Sequence, residues 1–299
     1  MTGKSAGKTR GLVFALSAVT IFAGQDVISK HLGTLYPPIF VTMIRFWAFA
    51  LFVLALTARS SGGILGAART SQPLLQIFRG VILVIQIVVA VYSFALVGLS
   101  HTQSIFAATP LFVAAMSVPL LGEKVGWRRW TAICVGLFGV LMIINPTTAS
   151  LKLELLLPIA GSSIFALYAI TTRLAGRVDS STTSFFYTGI AGAVAITLIG
   201  PFYWTSMAPV DWIWMAALCC TGMSGHYLLI RAYDLVDAVT VQQIGYVQVV
   251  LVCMLGVLIY GEVLTPNMLL GALLVIGAGF FTIWRESRLA RARATNGQA

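Results

Sequence analysis

Ten long apolar runs joined by short connections constrain this chain more than any other feature of its sequence. They cover roughly 11–32, 38–57, 74–97, 102–121, 127–145, 153–174, 182–202, 211–231, 239–260 and 266–285. A helix crosses the bilayer core with about 20 mostly apolar residues, and these runs are of that length. Lipid offers backbone N–H and C=O groups no partners, so a spanning segment must be a helix or a strand of a closed barrel. Barrel strands alternate polarity over about 10 residues; these runs are longer and do not alternate. Composition agrees, with 59% hydrophobic and 9% charged residues, against about 25% charged in soluble domains. The expected fold class is an all-α integral membrane protein with ten transmembrane helices. The connections leave no room for a separate soluble domain, so residues 1–299 are expected to form a single transmembrane domain.

The net charge of +10 raises the question of nucleic acid, and its placement answers it. The basic residues lie between the apolar runs, where they orient the helices. With the N-terminus cytoplasmic, every Lys and Arg except Lys30, Arg45 and Lys152 falls on the cytoplasmic side. The expectation is a multi-pass protein of the cytoplasmic (inner) membrane with both termini cytoplasmic, lipid as its solvent and no nucleic-acid partner. Cys134, Cys219, Cys220 and Cys253 all sit inside apolar runs without a CxxC or a metal-like pairing with His, so neither a disulfide framework nor a metal is expected. Gly3 to Thr9 looks like a phosphate loop but lacks the required first glycine, and no cofactor is expected.

The chain is also built twice. Gly122-Glu123 closes the fourth run and opens the fifth, and Gly261-Glu262 does the same after the ninth. The same offset of 139 sets Phe94-Ala95-Leu96 against Tyr233-Asp234-Leu235, and an offset of 143 sets Ile21-Phe22-Ala23 against Ile164-Phe165-Ala166 and Lys30 against Arg173. Five spans per copy force the second to enter the membrane from the opposite side. The expectation is two inverted five-helix repeats, about 11–146 and 153–288, around a central cavity, which is a transporter architecture working by alternating access. Gly122, Glu123, Gly261 and Glu262 are then repeat-junction residues at hydrated helix ends.

Polar side chains within spans are costly and usually face the interior or a watery cavity. Gln25 on the first run, Gln86 and Tyr92 on the third, Tyr168 on the sixth and Tyr227 on the eighth are such groups, as are Gln243, Tyr246 and Gln248 on the ninth. Arg45 on the second could pair with a substrate carboxylate. These nine are the expected substrate-binding residues. Arg79, Gln86 and Ser93 follow one another at intervals of seven, on one helical face. Arg231 and Asp234, three apart at an inner helix end, are expected to pair or gate. Asp26 is the one acid within a span core, towards one end, which favours facilitated over proton- or sodium-coupled transport. No catalytic constellation accompanies these groups, so the chain is not expected to be an enzyme.

The joint pattern of five plus five spans, a Gly-Glu junction after spans four and nine, and glycine-rich spans five and ten resembles the drug/metabolite transporter superfamily, specifically its EamA-like family. Within it the chain looks most like the YddG-type exporters of aromatic amino acids. That resemblance implies a basket of helices around a central cavity and a monomeric transporter exporting small organic solutes, aromatic and other amino acids first among them. A membrane-embedded channel or enzyme, or an exporter of a different metabolite or a cationic drug, is the alternative.

Overall fold

The computed structural model describes residues 2–59, 62–122, 126–144, 153–233, 235–236 and 238–296. Among them every regular element is helical: α1 (Thr2–Leu35), α2 (Pro38–Ala58), α3 (Gly63–Ala68), α4 (Pro73–Leu96), α5 (Leu99–Phe106), α6 (Thr109–Leu121), α7 (Trp127–Ile144), α8 (Leu156–Ala175), α9 (Ser181–Thr197), α10 (Pro209–Tyr233), α11 (Ala238–Tyr260) and α12 (Pro266–Asn296), with two short 3₁₀ turns. Proline opens α2, α4, α10 and α12, where its missing N–H is no loss and its φ suits a helix. The stretches 9–35, 38–58, 73–96, 99–121 and 153–175 are long and apolar enough to cross a membrane, and shorter apolar helices occupy 130–144, 244–260 and 266–282. The all-α membrane fold expected from the sequence is therefore what the chain adopts.

Pro110 within the fourth run is expected to free a backbone carbonyl and allow a bend, and the chain breaks there. Residues 99–121 are not a continuous helix: α5 ends at Phe106, and α6 restarts with Thr109-Pro110. The proline ring and its lost N–H disfavour helix immediately before it, so the chain breaks mid-membrane and turns the last residues of α5 inwards.

Helix contacts come in pairs that exchange the two halves of the chain. α1 lies along α10 as α8 lies along α4; α1 touches α11 as α8 touches α6; α2 packs on α9 and α7 on α12. The α7–α12 crossing is close because Gly139 and Gly271 face each other: a Cβ on Gly139 would lie 2.7 Å from the Gly271 carbonyl oxygen. Small residues at such crossings let backbones approach where lipid supplies no hydrophobic drive.

The Gly-Glu junction of the second half corrects the sequence reading. Glu262 was expected at a hydrated helix end; its side chain is only 14% exposed. It accepts hydrogen bonds from the Leu99 N–H at 2.7 Å and the Ser100 N–H at 2.8 Å, satisfying the start of α5. Lys30 of α1 pairs with it at 2.5 Å, its ammonium lying 4.0 Å from the centroid of the Tyr260 ring. Two glycines make the seat. A Cβ on Gly98 (φ +98°) would lie 2.8 Å from the Glu262 carboxylate, and one on Gly256 would lie 2.7 Å from it. Gly261 takes φ +63°, turning the chain so that Glu262 points in. Gly122 takes φ +67° in the first half, while Glu123 lies outside the described residues.

Burial alone would raise the Glu262 carboxyl, but the bonds from Lys30 and the two amides outweigh it and hold it below its ordinary 4.5. A depressed carboxylate contributes stability that is full above its unfolded value and lost as pH falls through the lower folded one. Glu262→Gln should therefore cost about 1.5–3 kcal/mol of stability near pH 7. The melting-temperature gap between it and the native chain in detergent should close below about pH 4.5. A gap that stays constant down to pH 3 contradicts this account of the pair.

Candidate solute-binding cavity

The helices enclose a cavity of about 390 Å³, within the range of about 300–1,000 Å³ typical of small-molecule sites. On α1, Phe22, Gln25, Asp26 and Ser29 face it, at the spacing of one helical face. Arg45 reaches it from α2, Gln86 from α4, Gln103 and Phe106 from α5, Phe165 from α8 and Gln248 from α11.

Asp26 is the centre of this lining. Its Oδ2 accepts the Nε2–H of Gln103 at 2.5 Å and of Gln248 at 2.9 Å, tying α1, α5 and α11 together. Gln103 lies within the short helix α5 (Leu99–Phe106), which ends before Pro110. The Arg45 guanidinium borders the same cavity, and among the described residues no ion pair joins it to Asp26. Room for it comes from Gly222 of α10. A Cβ there would lie 3.2 Å from Gln25 Oε1 and 3.6 Å from Arg45 Nε. Gln25 Oε1 itself has no hydrogen-bond partner among the described residues. His226 also borders the cavity, but its ring is packed edge-on against Phe22 at 5.1 Å, as a packing residue would be.

The structure brings Gln25, Arg45, Gln86, Tyr246 and Gln248 to the cavity and leaves three expected residues out. Tyr168 instead lies 5.5 Å from the Arg79 guanidinium. Arg79, read as an interfacial topology charge, is buried: it donates to Thr172 Oγ1 at 2.9 Å, to Thr188 Oγ1 at 3.1 Å and to Gln76, bonding α4 to α8 and α9. Tyr227 is 52% exposed, because one residue along a helix rotates about 100° from the direction of His226. Tyr92 is half-buried between neighbours of the Gln86 face and does not line the cavity. The Gln243 side chain and Asp234 lie outside the described residues, and Arg231 is exposed.

Two groups were missed in the sequence. Asp26 was set aside as lying towards a helix end, but α1 continues to Leu35 and places it deep. Gln103 carried no signal as long as residues 102–121 were read as one uninterrupted span.

Tyr246 forms the edge of the cavity next to α12. Its ring tilts over Phe280 at 4.8 Å, its hydroxyl is tucked against Gly279, and that hydroxyl has no hydrogen-bond partner among the described residues.

Comparison with known proteins matches a family model described as the EamA-like transporter family to residues 9–145 and again to 152–284. The chain is 26% identical over 278 residues to an S-adenosylmethionine uptake transporter of Rickettsia prowazekii, covering 92% of each. It is 26% identical over 297 residues to a riboflavin transporter of Vibrio cholerae, covering 95% of this chain and 96% of that one. To a pseudopaline exporter of Pseudomonas aeruginosa it is 24% identical over 270 residues, covering 90% and 94%. One crystal structure of a protein superposes with a TM-score of 0.62 at 17% identity, over 92% of this chain and 97% of that one, a likeness of fold alone.

The Tyr246 environment generates a paired prediction. Gly279→Ala places a methyl group where the Tyr246 hydroxyl lies and should destabilise the protein by about 1–3 kcal/mol through overpacking. Tyr246→Phe removes a buried hydroxyl without a partner and should be neutral or stabilising alone. Combined with Gly279→Ala it should restore at least half of the lost melting temperature. Additive losses in the double variant contradict the contact.

Proposed function

The chain belongs to the EamA-like transporter family, and on that premise we propose that it carries solutes with an α-amino-acid head across the inner membrane. The observation that carries this reading is that Asp26 and Arg45 line one cavity with no ion pair between them among the described residues. A zwitterion entering a low-dielectric site loses the hydration of two charges, a cost of several kcal/mol per ion unless each is matched. Asp26 offers a carboxylate to the ammonium. Arg45 offers a guanidinium to the carboxylate, the geometry guanidinium recognises best. Among the described residues Arg45 makes no ion pair of its own. Gln25 and Gln86 add amides beside these two charges, and Phe22, Phe94, Phe106 and Phe165 supply rings against which an aromatic tail packs.

The reading covers the aromatic amino acids expected from the sequence, and it equally covers S-adenosylmethionine, which carries the same head on a nucleoside tail. Relatives named for that compound lend it support. The helix contacts that exchange the two halves support inverted repeats that rock about the cavity to give alternating access. A solute moved without coupling follows its gradient, so uptake and export are two uses of one mechanism.

Flux into proteoliposomes tests the head. Phenylalanine and S-adenosylmethionine should compete with each other, while their carboxyl-methylated and deaminated analogues should compete at least about tenfold more weakly. Arg45→Gln should erase the discrimination against the esters and Asp26→Asn that against the deaminated compounds. Analogues that compete as well as the parent amino acids overturn the reading.

A further inference from the structure

A glycine in the middle of a helix lowers its stability relative to alanine, so its presence needs a reason. For most glycines in these helices the reason is a neighbour. A Cβ on Gly80, Gly139, Gly192 or Gly225 would strike another helix. Among the described glycines of the long helices, Gly24, Gly245 and Gly277 have no such neighbour: a Cβ on any of them would meet nothing within 4 Å among the described residues. Of these three, Gly245 alone lines the cavity.

We propose that Gly245 determines the size of solute the cavity accepts, its bare stretch of α11 making room for a tail larger than a benzyl group, of the size of a purine nucleoside. This rests on the amino-acid-head reading above. Gly245 lies three residues before Gln248, about 4.5 Å from it along the axis of α11 and on the same helical face, and both line the cavity. On the amino-acid-head reading, a solute with its ammonium at Asp26 has Gly245 on the face of α11 from which Gln248 reaches that acid. The offset of 139 that aligns the two Gly-Glu junctions sets Gly245 against Phe106. Both positions border the cavity, one filled by a ring and the other by nothing. The cavity is lopsided at this point, with an aromatic wall on the α5 side and open space on the α11 side. A pocket for the smallest amino acids has no use for that space.

The test is a graded series, Gly245→Ala, Gly245→Val and Gly245→Leu, with Gly277→Ala as the control for a glycine that is open but outside the cavity. Competition is measured in proteoliposomes with a headed ladder of alanine, phenylalanine and S-adenosylmethionine and a headless ladder of adenine, adenosine and riboflavin. The ratio of largest to smallest accepted competitor should fall stepwise with side-chain volume at position 245, by at least about tenfold at Leu, and stay unchanged in Gly277→Ala. Because alanine favours helix over glycine, Gly245→Ala should melt no lower than the native protein, which separates narrowing of the cavity from misfolding. A ratio that does not move across the series, in whichever ladder binds, overturns the role of Gly245. Binding confined to the headless ladder overturns the head reading instead, and the same stepwise fall within that ladder still supports Gly245.

Discussion

A charge buried among helices must be matched, and the structure is arranged around how Glu262, Arg79, Asp26 and Arg45 are. Glu262 is matched completely, by Lys30 and by two backbone amides at the start of α5, in a seat cleared by Gly98 and Gly256. Arg79 is matched by the neutral oxygens of Thr172, Thr188 and Gln76. Both are joints between helices, and nothing remains at them for a ligand to do. Asp26 and Arg45 are treated differently. They line one cavity without forming an ion pair among the described residues, the acid steadied by two glutamine amides and the base by none of the described carboxylates. A solute that carries both charges, as a zwitterion does, can match the two at once, and this is the ground of the proposed amino-acid head.

Glycine and proline supply the geometry for that arrangement. Pro110 breaks the fourth span into α5 and α6, and α5 carries the Gln103 that bonds Asp26. Gly222 clears the space in which Gln25 and Arg45 lie together, and Gly139 with Gly271 draws α7 and α12 into contact away from the cavity. Where a glycine clears space for a neighbour it shapes the scaffold; at Gly245 a Cβ would meet nothing within 4 Å among the described residues, and that difference is the ground on which its role toward the solute is proposed.

The helices were legible because the bilayer demands long apolar runs, and the doubling because Gly122-Glu123 and Gly261-Glu262 repeat at one spacing. Gln25, Arg45, Gln86, Tyr246 and Gln248 reach the cavity, in keeping with the cost of polar atoms in lipid, which brings such groups to protein interiors. Whether a given tyrosine is among them depends on helix rotation, and a run that is apolar all round does not encode it. Tyr227 and His226 are neighbours in the chain and point about 100° apart around α10. Asp26 was undervalued because apolarity faded at the end of the first run three residues before α1 does. Glu262 was read as hydrated because a helix end in sequence says nothing of what another helix brings to it; only the fold sets Lys30 and the start of α5 against it.

The most direct test of the zwitterion account is a structure of the protein with phenylalanine or S-adenosylmethionine bound. The ammonium should lie about 3 Å from Asp26 and the carboxylate about 3 Å from the Arg45 guanidinium, the distances of charge-assisted hydrogen bonds, with the tail running past Gly245. A solute bound with its carboxylate away from Arg45, or outside the cavity altogether, would contradict it.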